Sequence, residues 1–136
     1  DGGVGGIQNY ESYVAQLIQD NMNTDDPREV LLEGLTGITI TWTRNAAGEY
    51  FGAFSIPPTY TNIYVSGLMS NSGNPDSGRI AIPIESSDTI IGYYEIFVDT
   101  VIELRFYDST WVLTDMYDLV GIHYFNLPEI RFYNIP

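Results

Sequence analysis

Residues 38–56 read ITITWTRNAAGEYFGAFSI, and their alternation decides the fold class. Ile38, Ile40 and Trp42 take every second position, with Thr39, Thr41 and Thr43 between them. That period of two puts apolar and polar side chains on opposite faces of an extended strand. NAAG at 45–48 then turns the chain, and EYFGAFSI at 49–56 returns as the second arm of a hairpin. Pro57 and Pro58 close the unit.

The same grammar continues on both sides. TNIYVSGLM at 61–69, RIAIPIE at 79–85, TIIGYYEIFVD at 89–99, VIELRFYD at 101–108 and WVLTDMYDLVG at 111–121 all read as strands. IHYFNLPEIRFYN at 122–134 reads as one more, broken near Leu127 and Pro128. SNSGNPDSG at 70–78 is a loop of turn residues, DNMNTDDP at 20–27 a polar turn, and REVLLEGLTG at 28–37 is stopped by its glycines. NYESYVAQLIQ at 9–19 is open. Tyr10, Tyr13, Val14, Leu17 and Ile18 share a helical face with Asn9 as a cap, yet the segment also reads as a strand. The β-rich remainder tilts it to strand.

A chain of 136 residues supports one core. The expected molecule is all-β: an antiparallel, jelly-roll-like β-sandwich of eight or nine strands, with a short N-terminal helix as the variant. DGGVGG opens a glycine-rich leader over residues 1–8, and residues 9–136 form the single domain.

Charge narrows the partners. Eighteen acids face five basic residues, all arginine, for a formal net charge of −13. Phosphate backbones and anionic bilayers both demand a positive footprint, so nucleic acid and a charged membrane surface are excluded as partners. No apolar run reaches the length of a spanning helix, so membrane insertion is not expected. Cysteine is absent, which removes disulfides and thiolate metal sites.

ELRFYD at 103–108 and EIRFYN at 129–134 nearly rhyme. In each, two apolar residues (Leu104 and Phe106, or Ile130 and Phe132) point one way. Glu103, Arg105 and Tyr107, like Glu129, Arg131 and Tyr133, point the other. These are either two solvated strand faces or parts of a subunit interface, where tyrosine and arginine concentrate. Arg105, Tyr107, Arg131 and Tyr133 are the interface candidates.

Catalytic constellations are weak. His123 is the single histidine, and no G-x-S-x-G elbow accompanies it, so it reads as a structural residue. Carboxylate pairs are too numerous to single one out. Asn21, Asn23 and Asp25 alternate in NMNTDD without the glycine and closing glutamate of a calcium loop. DGGVGG lacks the strand and lysine of a phosphate loop. No catalytic residue, metal site or cofactor is expected. Tyr60, Tyr64, Tyr93, Tyr94, Tyr117 and Tyr124 are candidates for a carbohydrate platform, some of which belong to the core instead.

Three segments carry a resemblance: YESYVAQLIQ at 10–19, VLLEGLTGITITWTRNAAGEYFGAFS at 30–55 and EIRFYNIP at 129–136. Tyr10, Tyr13, Ala15, Leu17 and Gln19 match in the first. Val30, Leu31 or Leu32, Glu33, Leu35, Trp42, Thr43, Arg44, Gly48, Tyr50 and Gly52 match in the second, and Glu129, Ile130, Arg131 and Tyr133 in the third. Gly34 departs from the family's asparagine. The pattern resembles a small β-rich domain of virion structural proteins, fibres and appendages of tailed phages infecting Bacteroidetes-type hosts. The resemblance implies a non-enzymatic domain for assembly and host-surface attachment. It would self-associate as a homotrimer with other virion proteins, with a host surface glycan as ligand, located on the virion. The alternative is a secreted or surface-anchored bacterial domain that binds carbohydrate or polymerises into an extracellular filament.

Overall fold

The computed structural model describes residues 10–19, 24–60, 62–65, 82–120 and 124–133. The glycine-rich leader, Asn21, Asn23, the loop at 70–78 and His123 lie outside the described residues.

The hairpin read from residues 38–56 is present as β3 (Ile40–Ala46) and β4 (Glu49–Phe54), with Gly48 in the turn at φ 73°. Glycine takes that left-handed conformation with no Cβ to strain it. β1 (Tyr10–Ile18) settles the open segment as a strand. Its helical spacing is a coincidence of two-sided burial. Tyr13, Ala15 and Leu17 face the core, while Ile18 is covered from the other side. β1 pairs with β2 (Arg28–Glu33) on one side, and on the other with β9 (Phe125–Asn126) and β10 (Ile130–Tyr133). β9 and β10 are the two halves of the final segment, separated where Leu127 and Pro128 interrupt the ladder; the Leu127 N–H still reaches the Ala15 carbonyl at 3.1 Å. β5 (Asn62–Val65) pairs with β10, completing one five-stranded sheet.

The second sheet has the order β3-β4-β8-β7-β6, where β6 is Ile82–Ser86, β7 Thr89–Val98 and β8 Val101–Asp108. Every described strand pairing is antiparallel, and the ten strands form a β-sandwich. Core residues come from both sheets: Tyr13, Leu17, Ile130 and Phe132 from the first; Trp42, Tyr50, Ile102, Leu104 and Phe106 from the second. Aromatic edges join the layers, Phe106 meeting Phe125 at 4.8 Å and Phe54 meeting Phe132 at 5.9 Å.

One expectation fails. Residues 111–120 are not a strand. The Asp108 carboxylate accepts hydrogen bonds from the Thr110 and Val112 N–H groups, bending the chain into a turn. A single bridge joins Tyr107 to Leu113, and a short helix, α1 (Met116–Val120), follows. Alternating residues there mimic a strand, but the aspartate supplies the competing local bonds.

Gly92 marks the closest packing of β7 on β8. A Cβ there would lie 2.3 Å from the Tyr107 carbonyl oxygen, and backbone cannot rotate aside. Gly92→Ala is expected to cost about 3 kcal/mol, the upper end of overpacking effects. Urea denaturation measures it; an unchanged midpoint would refute the tight approach.

Candidate functional site

Residues of the first two segments that carry the resemblance build the interior. Trp42 donates its indole N–H to the Tyr13 hydroxyl at 2.9 Å, and Tyr13 in turn donates to Glu29. Gly52 leaves room for the Trp42 ring, since a Cβ would stand 2.9 Å from it. Arg44, Gly48 and Tyr50 converge on Asp115, a carboxylate only 4% exposed. Arg44 grips both its oxygens at 2.9 and 3.0 Å, the Gly48 N–H donates at 3.1 Å, and the Tyr50 hydroxyl donates at 2.8 Å. Tyr50 also accepts the Met116 N–H at 2.8 Å. Gln19, fully buried at the end of β1, accepts from the Tyr117 N–H at 2.7 Å and donates to the Asp25 carbonyl at 2.9 Å.

This node ties β1, the β3–β4 hairpin and the start of α1 together. Burial opposes the Asp115 charge, but Arg44, Gly48 and Tyr50 outweigh it and hold the carboxyl below the usual range. Every donor is committed to the fold, so it is an architectural clamp. Alternation over 111–121 carries no sign of Asp115, whose partners come from the distant β3–β4 hairpin.

The interface candidates stand on the outward faces. On the first sheet, Arg131 sits over the Tyr10 ring at 4.7 Å and near Tyr64 at 5.7 Å. Its Nε meets Glu129 at 3.1 Å, and Glu129 also accepts from the Ser12 hydroxyl at 2.7 Å. Those two contacts, Ser12 first, keep the Glu129 carboxyl below its ordinary value. Tyr133 packs on Tyr10 at 5.0 Å. A cleft of about 660 Å³ opens beside this cluster, lined by Glu11, Glu33, Glu129, Tyr10, Ser12 and Thr36.

Arg105 and Tyr107 occupy the outer face of the second sheet. Arg105 pairs with Glu103 at 2.7 Å and lies 3.9 Å from Glu49, while the Tyr107 hydroxyl donates to Glu95 at 2.8 Å. The rhyming strands therefore both face outward as expected, but from opposite sides of the sandwich. Arg105 and Tyr107 are not brought together with Arg131 and Tyr133.

The candidate tyrosines divide cleanly. Tyr94 packs on Phe125 and Phe106 inside, and Tyr60 packs on Phe132. Tyr64 and Tyr124 are exposed. Tyr117 is half-buried beside Gln19. Tyr93 stacks on Trp111, a residue the strand reading of 111–121 had hidden. Among the described residues no group of His, Asp or Glu is placed to hold a metal, and no helix is long and apolar enough to cross a membrane.

No family model matches the chain, and no curated protein or solved structure matches it.

Proposed function

We propose that the chain is a non-enzymatic structural domain of a virion fibre or appendage, which self-associates and attaches to a host surface. The observation that supports the assembly half is the Arg131 cluster. A guanidinium braced by Glu129 and by Tyr10 and Tyr64 is a pre-ordered anchor of the kind that dominates protein interfaces. The cleft beside it is lined by Glu11, Glu33 and Glu129, an acidic surface that an arginine of another copy would complement. One patch thus holds both signs, and a second copy of the chain supplies the complement. The resemblance to fibre proteins makes a homotrimer the expected state.

Mass measurement in solution tests this. The wild-type chain should sediment as a trimer at micromolar concentration, and Arg131→Ala with Tyr133→Ala should return it to monomer. Arg105→Ala, on the other face, should leave the mass unchanged. The arginine pairs each contribute under about 1 kcal/mol to folding, and far-ultraviolet dichroism of each variant checks that losing the Tyr133 ring from Tyr10 leaves the sheet intact. A wild-type monomer would overturn the assembly reading.

A second reading, the extracellular filament of a secreted or surface-anchored bacterial domain, is favoured by the opposed placement of Arg105 and Arg131. Two contact patches on opposite faces stack copies in an open line instead of closing a ring. In that case mass grows with concentration without a plateau.

A further inference from the structure

We infer that Trp111 and Tyr93 form a platform for a neutral saccharide ring, on the outer face of the second sheet. The inference deepens the attachment half of the proposed function and rests on that reading. Its carrying observation is separate from the Arg131 cluster.

Trp111 is 55% exposed, the more conspicuous because Trp42, the other tryptophan, is buried. The Trp111 ring lies on Tyr93 with centroids 4.0 Å apart and planes 9° from parallel. One indole face is thus supported from below. Tyr107 stands beside it at 5.7 Å, tilted by 53°, as a low wall.

The backbone holds this display at a cost. Trp111 adopts φ 68°, a left-handed conformation that bulky residues avoid. The Trp111 N–H donates to the Asp108 carbonyl at 3.0 Å, and the Asp108 N–H returns a bond to the Val112 carbonyl at 2.9 Å. The Asp108 Oδ1 takes three further donors, from the Thr110 N–H, the Thr110 hydroxyl and the Val112 N–H. Glycine or asparagine suits such a position; a tryptophan there buries little and strains the turn. Its value lies in what it presents.

Charge and size choose the occupant. Glu95 and Asp108 rim the platform with carboxylates, and the chain carries −13 overall, so an anionic ligand is repelled. A single supported indole matches one pyranose, whose axial C–H groups stack on an aromatic face while its hydroxyls donate to carboxylates. A protein partner needs an area many times larger. Neutral saccharide fits all three constraints.

Fluorescence titration decides the matter, using cellohexaose, maltohexaose and mannohexaose as neutral probes and oligogalacturonate as the anionic one. At least one neutral hexaose should perturb Trp111 emission saturably, while buried Trp42 remains silent. Trp111→Ala should weaken that binding about tenfold or more, measured calorimetrically. Trp111→Gly should also lose binding and yet hold its urea midpoint, because glycine accepts the positive φ. The proposal is overturned if no neutral hexaose binds, if oligogalacturonate alone binds, or if Trp111→Ala binds undiminished. It is also overturned if Trp111→Gly unfolds the chain, which would assign the residue to the fold. Sedimentation of the same variants keeps the two proposals apart: loss of sugar binding with the trimer intact touches only this one, and loss of the trimer in the Arg131 variant touches only the assembly reading.

Discussion

Asp115→Ala should lower the unfolding free energy by about 3 kcal/mol, a large share of the 5–15 kcal/mol typical of a domain. The substitution strands the Arg44 guanidinium and the Gly48 N–H, and leaves the Tyr50 hydroxyl only the longer bond to Gln19 Oε1 at 3.2 Å. Breaking a buried ion pair costs roughly 3–5 kcal/mol, and the lower figure applies because Arg44 can turn toward water. Arg44→Ala should cost less, since Asp115 keeps Gly48 and Tyr50. Chemical denaturation checks both, with the midpoint falling and the slope unchanged. The pH dependence is a sharper signature. Asp115 is held below its unfolded value, so its contribution is complete above about pH 4 and disappears as pH falls through the folded value. The gap between wild type and Asp115→Ala should therefore narrow in acid. A gap that persisted in acid would show that packing, not the carboxylate, is responsible.

At the alkaline end the expected effect is as large. Burial raises the phenol of Tyr13, helped by the carboxylate of Glu29, and burial likewise raises that of Tyr50 beside Asp115. Both keep their protons in the folded chain after the unfolded chain has lost them, near pH 10. Stability is fully present below that pH and declines above it, by about 1.4 kcal/mol per pH unit for each phenol. Together the two give a slope of about 2.7 kcal/mol per unit, so two units above pH 10 remove about 5 kcal/mol, the whole stability of a domain at the lower end of the usual range. Phenolate absorbance and far-ultraviolet dichroism, followed on one sample, test it. The last phenolates should appear in step with loss of sheet, and Tyr50→Phe should roughly halve the slope. Complete tyrosine titration with the sheet signal intact would contradict the burial of both rings.

What alternation could tell was which way a side chain points. Ile40 and Trp42 went inward, as did Leu104 with Phe106 and Ile130 with Phe132, because a two-residue period is a local property. Which sheet a strand joins is not local. β1 lies against β10, more than a hundred residues away in sequence, and nothing in either segment names the other. For that reason Arg105 and Arg131, identical in local setting, ended on opposite faces. The turn at Asp108 defeated the period because one carboxylate gathering nearby N–H groups outbids an alternating pattern. Trp111 and Asp115, the residues with most to say about ligand and stability, sit within that turn and just beyond it. A tryptophan immediately after a Ser-Thr pair carries no mark of its positive φ.

The pairing of β1 with β10 has a mechanical consequence. Tyr10 stands directly opposite Tyr133, so both strands run out at the same corner of the sandwich. Tension drawn between those two points does not load the ladder in shear. It peels the pair open, rupturing one hydrogen bond before the next bears force. Such a body tears readily as a link in a taut cord, whereas carried as a side-mounted knob it escapes the strain entirely.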